Sequence, residues 1–422
     1  MADSQARRQD YRDAFAAWLV SDGAPTHSIP DFLDAFCRFL NRQDYAIRRC
    51  NLATRTVHPQ MVAIRHVWSD RALPIVPINP AVVVSRRQFR MGEAMIDVVF
   101  FNAMNETNPQ YRVSPFFRIE SCKELYEPIR PPGEAQIFPI FDDLAKEGCT
   151  AYYGLYLDAF AGTRQQIGLA TAAPGGLTPR QVEDLRWSLG LFTLHLNTLM
   201  EYGIKNTLAR TYIGDDPGQR VCDGMIGRGE VISLEAAIWF SDLRGFTAIS
   251  DDLDAEDLLD TLNAYFEVVV TAIYEEGGEV LKYIGDAILA IFPVAGFDGP
   301  SGACHAALAA AEKASERLQV LNAERRGRDE TQLGQGVALH LGNAQYGNIG
   351  NPRRLDFTLI GREVNVASRI EGLTKMLGEP LLCSEPFALA SGLDMRALGS
   401  FPLKGVAEPI PVLTPAAGRP ES

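Results

Sequence analysis

No apolar run in this chain approaches the roughly eighteen residues needed to cross a bilayer. The best stretch, Leu189 to Met200, is broken by Thr193, His195, Asn197 and Thr198. Cysteine is sparse and unpatterned: the 7 residues (Cys37, Cys50, Cys122, Cys149, Cys222, Cys304, Cys383) are odd in number and never in Cys-x-x-Cys spacing. That excludes a zinc ribbon and favours free thiols in a reducing compartment over a disulfide framework. Positive charge is short too. Lys and Arg number 40 against 53 Asp and Glu, a net charge of -13, the opposite of a nucleic-acid footprint, so no nucleic-acid partner is expected. The first ten residues are polar and carry no signal-like apolar core, which predicts a cytoplasmic protein with no membrane partner. No Gly-x-x-x-x-Gly-Lys-Ser/Thr run occurs, which removes P-loop phosphate chemistry.

What is present suits a globular protein of two or three domains: 422 residues, 46% hydrophobic and 22% charged. The periodicity predicts a helical N-terminal segment over 1–44, with helices near 5–20 and from Ile29 to about Leu40. From 45 to 210 the pattern turns strand-rich, with strands at 61–68, 95–101, 151–157 and 166–171. A long helix, capped by Thr178 with Pro179 at its first position, then runs to about Ala209. Residues 211–230, rich in Gly and Asp, read as a linker. A second domain over 231–415 opens on the apolar run Ala236–Phe240, a buried strand, followed by one amphipathic helix over 251–277. Strands at 280–283 and 288–292 meet at the turn Gly285-Asp286. A helix at 302–324, strands at 336–341 and 355–359 and a helix at 362–377 complete an α+β pattern with a ferredoxin-like βαββαβ order.

Three segments of the second domain carry chemistry. Phe240-Ser241-Asp242-Leu243-Arg244-Gly245-Phe246-Thr247 and Lys282-Tyr283-Ile284-Gly285-Asp286 each place one carboxylate at the end of an apolar strand beside a glycine. Two such carboxylates, with substrate phosphates, suit Mg²⁺. In Gly361-Arg362-Glu363-Val364-Asn365-Val366-Ala367-Ser368-Arg369, the amide and the guanidinium stand i and i+4 on one helix face.

In these motifs residues 235–413 resemble the catalytic domain of a class III adenylate cyclase. The resemblance implies that Asp242 and Asp286 hold Mg²⁺ or Mn²⁺, two ions per site, that Asn365 orients the ribose and that Arg369 neutralises the α-phosphate. By the same resemblance Lys282 and Thr358 read the purine, Thr marking the subclass similar to soluble adenylate cyclases, and Lys404 binds the triphosphate. Backbone amides from Arg244 to Thr247, those of Phe246 and Thr247 among them, just before the helix, would add anion contacts. Asp356 stands two residues too early for the place of Thr358, although on a strand it would share its face. The implied reaction converts ATP to 3',5'-cyclic AMP and pyrophosphate. It also implies a homodimer with shared sites, the aspartates coming from one subunit and the remaining groups from the other.

The element order of 45–210 resembles a GAF-type sensory domain, which implies a small-molecule ligand and a regulatory role. His58, His66 and Cys149 are isolated and name no such ligand. The alternatives are a guanylate cyclase and a catalytically silent nucleotide-sensing dimer module. A diguanylate cyclase is disfavoured because Gly277-Gly278-Glu279-Val280 lacks the Gly-Gly-Asp/Glu-Glu-Phe signature.

Overall fold

Serine 28 starts the second helix of the chain by accepting a hydrogen bond from the Asp31 amide, with Pro30 in the first turn where its missing N–H costs nothing. The computed structural model describes residues 2–56, 61–71, 83–101, 109–158, 164–406 and 408–416; His58 lies outside them. The chain divides into two compact units, Met1–Thr207 and Leu208–Ser422.

In chain order the first unit contains α1 (Ala2–Trp18), α2 (Ile29–Arg42), β1 (Ile47–Arg55), β2 (Ala63–Ser69), β3 (Val83–Met91), β4 (Ala94–Phe101), α3 (Pro109–Arg112), α4 (Pro115–Cys122), β5 (Glu124–Pro128), α5 (Ile140–Lys146), β6 (Ala151–Asp158), β7 (Arg164–Thr171) and the start of α6 (Pro179–Ile213). The strands form one 7-stranded sheet in the order β3-β4-β2-β1-β7-β6-β5. Every pairing in it is antiparallel. Residues of α1, α2 and α6 share a core with one face of the sheet, through Phe15, Phe32, Phe36, Leu52, Ile167 and Phe192. Thr178 caps α6 by accepting from the Gln181 amide.

The sequence pattern did not point to β1, β3 or β5. In β1 and β3 arginines interrupt the apolar pattern: Arg49 in β1 is 3% exposed and ion-pairs with Glu147, and Arg86 in β3 grips both oxygens of Asp97 at 2.7 and 2.6 Å. Ser85, Arg87, Gln88 and Arg90 of β3 are exposed, which leaves few apolar residues to mark that strand.

The second unit continues with α7 (Asp215–Cys222), β8 (Val231–Arg244), α8 (Phe246–Asp252), α9 (Ala255–Glu275), β9 (Glu279–Ile284), β10 (Ala287–Pro293), α10 (Gly299–Gly327), β11 (Gly334–Asn351), β12 (Arg354–Ile360), α11 (Arg362–Leu377), β13 (Leu381–Ser384), α12 (Glu385–Ser391), β14 (Met395–Phe401) and β15 (Ile410–Pro415). Its 8-stranded sheet runs β14-β15-β13-β11-β8-β10-β9, with β12 paired to β11 beside that path. The segment β11-β8-β10-β9 has the strand order of a ferredoxin-like core, with β8 at its centre. Alternate residues of β8 serve opposite faces: Ala237 and Trp239 pack with α9 and α10, while Ala236 and Ile238 pack with Ala367 of α11.

Two sequence expectations are corrected in this unit. The helix expected over 251–277 is two helices, because Leu253 is extended (φ -100, ψ 150) and Asp254 caps α9, accepting from the amides of Glu256 and Asp257 at 3.0 Å. The segment read as a linker is largely helical: α6 reaches Ile213, and Gly214, at φ 113, opens α7. Asp254→Ala should destabilise the second unit by about 1 kcal/mol, the usual cost of losing an aspartate cap. Urea denaturation of the wild type and variant checks this, and identical midpoints would refute the capping role.

Candidate active site

The centre of the second unit's sheet delivers two carboxylates to one place. Asp242 lies near the end of β8, opposite Gly336 of β11. Its neighbour Ser241 pairs with Ile288 of β10, so Asp242 comes alongside the two-residue turn Gly285-Asp286 that joins β9 to β10. Gly285 has φ 67, the left-handed conformation that glycine adopts without strain at the first position of a tight hairpin.

Burial, the adjacent Asp286 carboxyl and the charge of Glu371 push the Asp242 carboxyl up to about 7. Its Oδ1 is buried without a hydrogen-bond partner. The residues present therefore suit a divalent cation: an orphaned, sequestered oxygen beside a second carboxylate is an acceptor awaiting a positive charge. Among the described residues no cluster of three or more His, Cys, Asp or Glu side chains has metal-holding geometry, so these two would leave most coordination positions to substrate and water.

Sequence reasoning gave Glu371 no role. Its carboxyl is itself raised, by burial first, while Thr374 and Arg244 oppose the shift and Asp286 adds to it. Gly336 makes the space: a Cβ there would meet Glu371 Oε1 at 2.6 Å and Thr374 Oγ1 at 2.5 Å. The signal was available in the spacing, because Glu371 falls among Ala367, Ile370 and Thr374 on the buried stripe of α11. An acid in such a stripe is the informative exception.

The other residues singled out in the sequence are distributed as follows. Asn365 is exposed near the start of α11, with only a long 3.4 Å contact to the Gly361 carbonyl. Arg369, one turn later, is half-exposed and forms no ion pair among the described residues; its Nη1 lies 3.5 Å from where a Cβ on Gly405 would be. Lys404 thus neighbours Arg369 in the turn, exposed and likewise unpaired among the described residues. Phe246 packs against the core and Thr247 is exposed in the first turn of α8, whose N-cap Gly245 leaves the leading amides without a side-chain acceptor. Arg244 belongs to β8 instead, and its guanidinium donates to the carbonyls of Gln335 and Glu379.

Lys282 belongs to β9 and Thr358 to β12. Thr358 is 5% exposed and opposite Gly347 in the β11–β12 ladder. Lys282 ion-pairs with Asp356, the residue judged two positions too early. Both line a cleft of about 560 Å³ with Tyr283, Arg354 and Phe357.

Residues 233–381 match the family model described as the adenylate and guanylate cyclase catalytic domain, so the second unit carries a domain of this class. Among curated proteins, an adenylate cyclase of Anabaena cylindrica is 37% identical over 165 residues, covering 37% of this chain and 31% of the relative. Adenylate cyclase 1 of Rhizobium meliloti is 32% identical over 176 residues, covering 40% and 26%. The chain thus spans under a third of either relative. A crystal structure of an adenylyl cyclase from P. aeruginosa is 29% identical, covering 45% of this chain and 98% of that one, with a TM-score of 0.42. No helix among the described residues is long and apolar enough to cross a membrane.

A raised carboxyl binds its proton more tightly in the fold than in the unfolded chain. Its contribution to stability is therefore full below about pH 4 and is lost as pH rises through the folded value. In the presence of a chelator, the melting temperature of the wild type should fall between pH 5 and pH 8 more steeply than that of Asp242→Asn. Parallel pH profiles would show that the Asp242 carboxyl is not raised in the fold.

Proposed function

We propose that this chain is an adenylate cyclase that converts ATP to 3',5'-cyclic AMP and pyrophosphate and works as a homodimer with shared active sites. The observation that carries the proposal is the imbalance of charge. Asp242 feels Asp286 and Glu371, both acidic, while Arg369 and Lys404 have no acidic partner among the described residues. An unneutralised acid pair calls for metal, and unpaired cations converge where a polyphosphate would lie. The adenylate cyclase relatives and the match over 233–381 support the same reading.

In this reading Asp242 and Asp286 hold Mg²⁺ or Mn²⁺. When bound, such ions neutralise phosphate charge and ease ionisation of the attacking hydroxyl. The ribose 3'-oxygen forms a bond to the α-phosphorus, the bond from that phosphorus to the bridging oxygen breaks, and pyrophosphate leaves with the electron pair. The hydroxyl proton passes to solvent or to Asp242. Asn365 holds the ribose in line, Arg369 donates to the α-phosphate as its charge shifts, and Lys404 with the amides of Phe246 and Thr247 holds the leaving phosphates. The first unit is read as a GAF-like regulatory and dimerisation domain with a small-molecule ligand, supported by its antiparallel sheet and long terminal helix. Cytoplasmic placement accords with the composition.

Cyclic nucleotide formation by the purified full-length protein, given ATP or GTP with Mg²⁺ or Mn²⁺, tests the reading. The wild type should form cyclic AMP. Arg369→Ala should lower kcat by about 10²- to 10³-fold, the usual cost of removing one preorganised donor, and Asp286→Asn should abolish turnover. No product from the wild type under any of these conditions would leave a silent nucleotide-binding module.

A further inference from the structure

We infer that the first unit holds an anion-binding site, in which Arg65 and Arg55 receive a small organic anion bearing a carboxylate or a phosphate. The inference rests on the reading of this unit as a ligand-binding regulatory domain and goes beyond it in naming the ligand's chemistry. Arg49 and Arg55 lie on β1 with an even spacing, and Arg65 of β2 stands opposite Ala53, so all three share one face of the sheet. The other face carries Leu52, Trp68, Ile96 and Val98 into the core shared with α1, α2 and α6. The arginine face continues through Asp97 of β4, opposite Val67, and Arg86 of β3, opposite Val99.

Charge on that face divides into paired and unpaired groups. Arg86 holds Asp97 through both oxygens, and Arg49 pairs with Glu147. Arg65 and Arg55 have no ion pair among the described residues, although Glu120 and Arg55 both act on the Tyr111 hydroxyl. The Nε atoms of Arg49, Arg55 and Arg65 are each buried without a hydrogen-bond partner, the kind of buried donor that a fold normally satisfies. Arg65 rests over the ring of Phe101, 5.6 Å from Cζ to the ring centroid, a contact of the guanidinium face that leaves its edge N–H groups unused. Burial lowers the Arg65 pKa, and Asp97 only partly offsets this while Arg86 and Arg49 add to it. A carboxylate or phosphate supplies what is missing: two acceptor oxygens matched to the donor fork, and negative charge. Water would satisfy the donors and leave the charge uncompensated. Arg86 on Asp97 displays the same two-oxygen geometry on the same face.

The test uses the full chain as wild type, Arg65→Gln, Arg65→Lys and Arg55→Gln. Melting is followed by scanning calorimetry in chloride at fixed ionic strength while inorganic phosphate or succinate is titrated in. Anion bound in the second unit adds the same increment to every variant, so only the part that the two arginines control counts. At least one of the two probes should raise the melting temperature of the wild type with saturation, and the one that does so assigns the phosphate or the carboxylate class. Arg65→Gln should shift the half-saturating concentration upward by about 10- to 100-fold, the scale of one charge-assisted hydrogen bond. Arg55→Gln should shift it in the same direction, and Arg65→Lys should keep part of the response. In chloride alone Arg65→Gln should melt no lower than the wild type, because it removes a buried charge without a partner. The inference is overturned if neither probe acts, if Arg65→Gln responds as the wild type does, or if Arg65→Gln melts well below the wild type in chloride, as a structural arginine would. Cyclic AMP formation by the wild type and Arg65→Gln, with and without the effective probe, separates the inference from the reading it rests on. If binding depends on Arg65 while the probe changes both rates by the same factor, the site stands and the regulatory reading falls.

Discussion

Two carboxyl groups held together at the end of the central strand, with a third acid behind them, constrain the rest of the second unit. Burial first, and then the neighbouring acids, oppose ionisation, which is why Asp242 is shifted so far from an ordinary aspartate. The fold tolerates this because β8 is anchored on both sides: β11 pairs with it along its whole length from Val231 to Arg244, and β10 along 236–241. A strand held this firmly can carry an unfavourable residue, and the cost is recovered when positive charge arrives. Arg369 and Lys404, without an acidic partner among the described residues, represent the opposite deficit. The site is thus two incomplete halves whose charges are complementary, an arrangement suited to a polyanion bound with metal.

Much of this was legible in the sequence because each feature leaves a local mark. Ala236–Phe240 and Ile288–Phe292 are continuous apolar runs, the signature of strands covered on both faces, and they became β8 and β10. The dipeptide Gly285-Asp286 announced its hairpin, and the i, i+4 relation of Asn365 and Arg369 announced a shared helix face. What escaped depended on tertiary pairing. The strand β1 hides Arg49 against Glu147, a partner 98 residues away that no local pattern reveals. The break between α8 and α9 was written in Asp254, a capping residue, but the apolar periodicity on either side obscured it.

The ion pair of Lys282 shows the same limit more sharply. Its partner Asp356 lies 74 residues away on another strand, so the contact is a property of three-dimensional placement that no local pattern reveals. Glu371 belongs to the same category, since its proximity to the acid pair depends on the room left by Gly336 across the sheet.

The central claim is that acids of one chain work with cations of another, and mixing two inactive variants tests it most directly. Asp286→Asn, inactive alone, and Arg369→Ala, strongly impaired alone, should together regain activity far above either when combined and allowed to exchange subunits, because the mixed dimer keeps one site with both halves intact. Persistent inactivity of the mixture, with mixed dimers demonstrated by differential tagging, would contradict the shared site and place both halves within a single chain.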